Sequence, residues 1–106
     1  MKNIYSNIFS LNKKILHKCI TNLKRGDVVG IPTETVYGLG GNAYSELAVQ
    51  KIYRLKKRPK KNPLIVHYLD YKDADKDVIF NHDFYKLYKK FCPGPITFVL
   101  RKKNKS

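Results

Sequence analysis

Leu11, Ile15, Leu16, Cys19, Ile20 and Leu23 recur at helical spacing, with Lys13, Lys14, Lys18 and Lys24 elsewhere on the wheel. Ser10 can cap the start of this amphipathic helix, and Gly26 sits where a glycine would end it. The short apolar run 27–31 then reads as a buried strand that Pro32 stops, because proline supplies no backbone donor. A second helix is predicted from Ser45, with Glu46 in its first turn and Leu47, Ala48, Ile52 and Leu55 on one face. It should end by about residue 57, since Pro59 disfavours helical geometry at Arg58. The apolar, β-branched stretch Pro63–Tyr68 predicts a second buried strand, and Asp70–Asp77 a polar segment with room for a short helix. Asp83 can cap a third long helix that buries Phe84, Leu87, Tyr88 and Phe91. Pro93-Gly94-Pro95 is a turn, Ile96–Leu100 a third strand, and residues 101–106 a basic tail. Helices alternating with strands point to an α/β layer.

The most informative stretch is Ile31-Pro32-Thr33-Glu34-Thr35-Val36-Tyr37-Gly38-Leu39-Gly40-Gly41. Hydroxyls at the end of a strand, followed by a glycine-rich turn, suit a binding loop, because glycine lets a ligand approach the backbone closely. A well-capped strand-to-helix connector has the same local chemistry, and both readings stand at this point.

Charge sharpens the picture. At 106 residues and 42 % hydrophobic the chain can fold as one domain with a modest core. Its formal net charge of +14 is uneven, with +3 in residues 1–50 and +11 in 51–106. Such a field favours polyanions: nucleotide phosphates, RNA or an anionic surface. Only 4 of the 22 basic residues are Arg, a lysine bias that genome base composition can also produce. Cys19 and Cys92 form no paired motif and fit a reduced, cytoplasmic setting. No apolar run approaches a membrane span or a signal sequence, so no membrane partner is expected.

Lys51–Lys61 holds 7 basic residues in 11 and no acid. Lys56 and Arg58, a point-charge ammonium beside a guanidinium fork, suit a triphosphate or carboxylate. There is no Walker A spacing. His67 lies at a strand end, where ligand-facing groups collect in open α/β sheets, although a lone histidine there is more often structural. No His, Cys, Asp or Glu grouping has metal-ligand spacing, so no protein metal site is expected. Glu34 is a candidate base or a turn-capping carboxylate.

Three stretches together resemble the YrdC/Sua5 family of threonylcarbamoyl-AMP synthases: Ile31–Leu39 (IPTETVYGL), Lys51–His67 (KIYRLKKRPKKNPLIVH) and Pro93–Leu100 (PGPITFVL). The resemblance implies an α/β fold, a YrdC-like twisted mixed sheet with flanking helices, and a positively charged concave surface. It implies a nucleotidyltransferase reaction in which L-threonine, bicarbonate and ATP give threonylcarbamoyl-AMP and pyrophosphate, for the t6A37 modification of tRNA. The family's Lys-x-Arg pair falls on Lys56 and Arg58, which would hold ATP phosphates and carboxylate. Threonine recognition falls on Thr33, Thr35, His67 and Thr97. ATP and bicarbonate enter as substrates and Mg2+ is carried by ATP, so no tightly bound cofactor is expected. The net charge of +14 makes tRNA or duplex RNA a candidate direct partner, which the non-catalytic reading below requires.

Family members continue well beyond the PGPxT strand and carry a Ser-x-Asn motif there, whereas the only serine after residue 45 here is Ser106. Cys92 also replaces the bulky aromatic frequent before Pro-Gly-Pro, which bears on packing. Residues 1–106 are therefore expected to form a partial YrdC-like domain, incomplete at its C-terminal side. A truncated product, a split-gene half completed by another chain and a recombinant fragment all fit. The competing reading is a non-catalytic RNA- or nucleotide-binding module, or a degraded gene fragment.

Overall fold

The computed structural model describes residues 7–106. The chain divides into two compact units, one ending at Asn62 and one spanning Pro63–Ser106. In the first unit, helix α1 (Lys13–Lys24) leads to strand β1 (Val29–Ile31), strand β2 (Gly38–Gly40) and helix α2 (Glu46–Leu55). β1 and β2 pair antiparallel, with Val29 opposite Gly40 and Ile31 opposite Gly38. The glycine-rich stretch is thus itself a strand, and residues 32–37 form a hairpin loop instead of a strand-to-helix connector. The first strand is only partly covered, with Ile31 exposed. Ala48 and Ile52 are the buried apolar side chains of this unit among the described residues.

Both long helices of this unit end in the same way. At α1, Gly26 adopts a φ of 84°. Its N–H donates to Leu23 O and that of Asp27 to Asn22 O, the paired bonds of a Schellman motif. The N-cap is Asn12, whose side chain accepts from Ile15 N at 2.9 Å, two residues after the expected Ser10. At α2, Ser45 caps as expected, accepting from Ala48 N at 3.2 Å. Lys51, midway along α2, ties that helix to the end of α1: its Nζ donates to Gly26 O at 3.3 Å and lies 3.6 Å from the Asp27 carboxylate.

The second unit contains α3 (Tyr71–Ala74), β3 (Val78–Ile79), α4 (His82–Phe91) and β4 (Arg101–Lys102), with β3 and β4 antiparallel. A reciprocal Asp70–Asp73 capping box starts α3 within the polar segment. Asn81, not Asp83, caps α4, accepting from Phe84 N at 2.8 Å. The core is aromatic. Phe84 is buried, stacks on Phe80 at 4.4 Å and meets Tyr71, Tyr88 and Phe98 edge-on or tilted. Leu87 and Phe91, expected on the buried face of α4, are exposed.

Two predicted strands lie outside the described ladders and carry no regular secondary structure. Pro63–Tyr68 leaves Ile65 and Val66 exposed, and Ile96–Leu100 alternates, turning Phe98 inward while Val99 is 96 % exposed. Their composition is that of strands, but a strand is defined by ladder hydrogen bonds to a neighbour, and neither segment has one among the described residues. The basic segment 101–106 is not a free tail. Beyond β4, Lys103 N donates to Asp77 O at 2.7 Å, and Ser106 Oγ donates to the buried Asp77 carboxylate at 2.8 Å. The Tyr68 hydroxyl donates to the other oxygen of that carboxylate at 2.8 Å.

Candidate functional site

The Lys-x-Arg pair is built by the end of α2. Lys56 is the C-cap, Lys57 follows with a φ of 51°, and Arg58 comes next. Lys57 N donates to Arg54 O at 3.2 Å and Arg58 N to Tyr53 O at 2.9 Å, a second Schellman motif, completed here by a lysine in the left-handed region. A Pro59–Asn62 turn, closed by Asn62 N donating to Pro59 O at 3.0 Å, brings the chain back onto the helix. There the Asn62 carbonyl accepts from Tyr53 Oη at 2.7 Å and from Arg58 Nε at 3.2 Å. The helix C-terminus carries partial negative charge, so cations clustered there are locally stabilised as well as available to an anion.

Exposure separates the basic groups. Lys56, Lys57, Lys60 and Lys61 are exposed and have no ion-pair partner among the described residues. Arg58 is half-buried in the corner, and Lys51, part of the same basic run in sequence, is committed to Asp27 and Gly26.

Thr33 and Thr35 lie in the exposed hairpin loop. The Thr33 hydroxyl accepts from Val36 N at 3.2 Å and Thr35 N at 3.4 Å, and donates to Val36 O. One donor and two acceptor sites are all a hydroxyl has, so Thr33 shapes the loop. The Thr35 side chain has no such partner among the described residues and is the hydroxyl the loop offers outward. Glu34 is exposed beside it. His67 and Thr97 belong to the second unit, both exposed, on segments 63–68 and 96–100 that carry no regular secondary structure. A shallow apolar depression of about 220 Å³ lined by Phe91, Pro95 and Ile96 holds none of the candidate residues. Among the described residues no three His, Cys, Asp or Glu side chains cluster as metal ligands, and no helix is long and apolar enough to cross a membrane.

The sequence reading missed Tyr53 and Asn62. Tyr53 stands three residues before the C-cap, a position that meets the residue after the left-handed turn, but lysine at 57 gives no signal that such a turn follows.

The protein is α/β, with a cluster of exposed cations at the end of α2 and a hydroxyl-bearing hairpin loop between β1 and β2. Residues 21–106 match the Sua5/YciO/YrdC family, described as "Telomere recombination", and the chain belongs to that family. It is 43 % identical over 83 residues to the threonylcarbamoyl-AMP synthase of Pyrococcus abyssi, covering 76 % of this chain and 24 % of that protein. With the threonylcarbamoyl-AMP synthase of Bacillus subtilis it shares 42 % identity over 92 residues, 86 % of this chain and 27 % of that one. A crystal structure of P. abyssi Sua5 complexed with L-threonine superposes with a TM-score of 0.83 at 36 % identity, over 91 % of this chain and 28 % of the other. The chain thus spans about a quarter of these relatives.

Proposed function

We propose that this chain supplies the threonine- and ATP-gripping part of a threonylcarbamoyl-AMP synthase. The observation that carries the reading is the Lys56–Arg58 corner, fixed by a Schellman turn, in a chain of this family. Relatives that carry the synthase name, and one solved with L-threonine, support it.

In this reading the threonine amine attacks the carbon of bicarbonate, water leaves, and a carbamate forms. A carbamate oxygen then attacks the α-phosphorus of ATP, the bond to the β-phosphate oxygen breaks, and pyrophosphate departs. Both steps need positioning and charge neutralisation more than a covalent nucleophile. Lys56 and Arg58 neutralise phosphate and carboxylate oxygens, and Thr35 offers a hydroxyl from a loop that Thr33 shapes. His67 and Thr97 are assigned to the threonine side. Mg2+ enters with the nucleotide, on its phosphates.

Groups that complete the site come from polypeptide beyond this span, on the same chain or another. The product feeds t6A37 formation in the cytoplasm, and the exposed Lys57, Lys60 and Lys61 would hold tRNA by its phosphates. The test is pyrophosphate release with ATP, Mg2+, bicarbonate and L-threonine. Lys56→Ala and Arg58→Ala should each lower it by about tenfold or more, the scale on which one charge-assisted contact acts. Release that survives both substitutions refutes the assignment.

A further inference from the structure

The corner that holds Arg58 is closed by a residue outside the Lys-x-Arg pair. We infer that Tyr53 is a positioning residue for Arg58, acting through the Asn62 carbonyl. This rests on the reading of Arg58 as an anion-binding group.

The geometry is local. Tyr53 and Arg58 occupy the two Schellman positions, three before the C-cap and two after it, whose side chains ordinarily meet in an apolar contact. Here one acceptor joins them instead: Tyr53 Oη at 2.7 Å and Arg58 Nε at 3.2 Å converge on Asn62 O. A carbonyl has two lone pairs, so both bonds can be made at once. The phenol projects from a helix turn, which makes it the stiffer of the two donors. It pins the carbonyl, and the pinned carbonyl then fixes the Arg58 side chain through Nε, between the constraints of the Pro59–Asn62 turn and the Arg58 N to Tyr53 O bond. Without the phenol hydroxyl, Asn62 O loses the shorter of these two side-chain bonds, and the acceptor that Arg58 Nε bonds to is less constrained. The Nε end of Arg58 is then less well ordered before it meets an anion, and affinity falls by the cost of ordering it again.

Two measurements on the 106-residue chain test this. The Arg58 Nε–Hε resonance in 15N NMR should be slow to exchange with solvent in the wild type and at least severalfold faster in Tyr53→Phe, with the melting temperature little changed. Equal exchange in the two proteins overturns the inference whatever the chain binds. In calorimetry with ATP alone, Tyr53→Phe should weaken binding about 2–10-fold, the range of one net hydrogen bond. In an Arg58→Lys background, which keeps the cation but has no Nε donor, the same substitution should cost nothing further. An equal loss in both backgrounds overturns the positioning role. Arg58→Ala binding ATP as tightly as wild type would instead overturn the underlying site, a result distinguishable from failure of the Tyr53 link.

Discussion

Lys57→Gly, compared with Lys57→Ala, isolates the backbone geometry that the Lys-x-Arg pair depends on. Both substitutions remove the same charge from an exposed position, so charge effects cancel. The native φ of 51° lies in the left-handed region, where a Cβ crowds the following carbonyl at about 1–2 kcal/mol. Glycine avoids that cost but gives up about 0.5–1 kcal/mol of chain entropy on folding. The glycine variant should therefore be the more stable by about 0.5–1 kcal/mol, a difference of roughly 2–8 °C in melting temperature for a unit of this size. Lys57→Val should fall below both, because a β-branched residue is strongly disfavoured at positive φ. Thermal and urea unfolding followed by circular dichroism measure the series. The glycine variant should also keep the ATP affinity of the alanine variant or better it, since Lys56 and Arg58 stay on the same turn. An alanine variant as stable as the glycine one would show that residue 57 is not left-handed, and the account of the corner would fail with it.

At α1 the same motif uses a glycine, so the sign reverses. Gly26→Ala should lose about 2 kcal/mol, roughly 8–16 °C in melting temperature, from a φ of 84° and a Cβ 3.2 Å from the Ser45 Oγ that caps α2. A loss under about 0.5 kcal/mol by urea denaturation would contradict that geometry. Gly94→Ala should cost about 2–4 kcal/mol, because its Cβ would overlap the Phe91 carbonyl oxygen at the end of α4, and backbone cannot yield as a side chain can. An alanine variant that melts with the wild type would refute it.

Helix ends were legible in part: Asn12 and Asn81, not the expected Ser10 and Asp83, cap α1 and α4. Ser45 and Gly26 announced themselves because capping and left-handed termination demand particular side chains. Of the strands, β1 was legible, since the apolar run 27–31 holds Val29–Ile31; the others were not, for opposite reasons. Gly38-Leu39-Gly40 pairs with β1 although glycine is depleted from strands, and Val78–Ile79 is too short to show a period. Pro63–Tyr68 and Ile96–Leu100 have every compositional mark of strands, but pairing depends on a neighbour that composition cannot supply. Of the candidate site, Lys56, Arg58 and the hydroxyl loop were visible as residue types in a pattern. That Thr33 spends its hydroxyl on its own loop, that Lys51 is a structural tie, and that Lys57 turns left-handed show only in the folded chain. Each follows from where the backbone goes, which lysine and threonine do not encode.

Synthase chemistry shows itself as pyrophosphate release that depends on L-threonine. The folded 106-residue chain would be assayed with ATP, Mg2+ and bicarbonate, with and without L-threonine, alone and with the remaining segment of a relative such as the B. subtilis synthase. Release should require threonine in at least one of these mixtures, and Arg58→Ala should lower it by about tenfold or more. Release indifferent to threonine, or none in either mixture, would contradict the synthase reading.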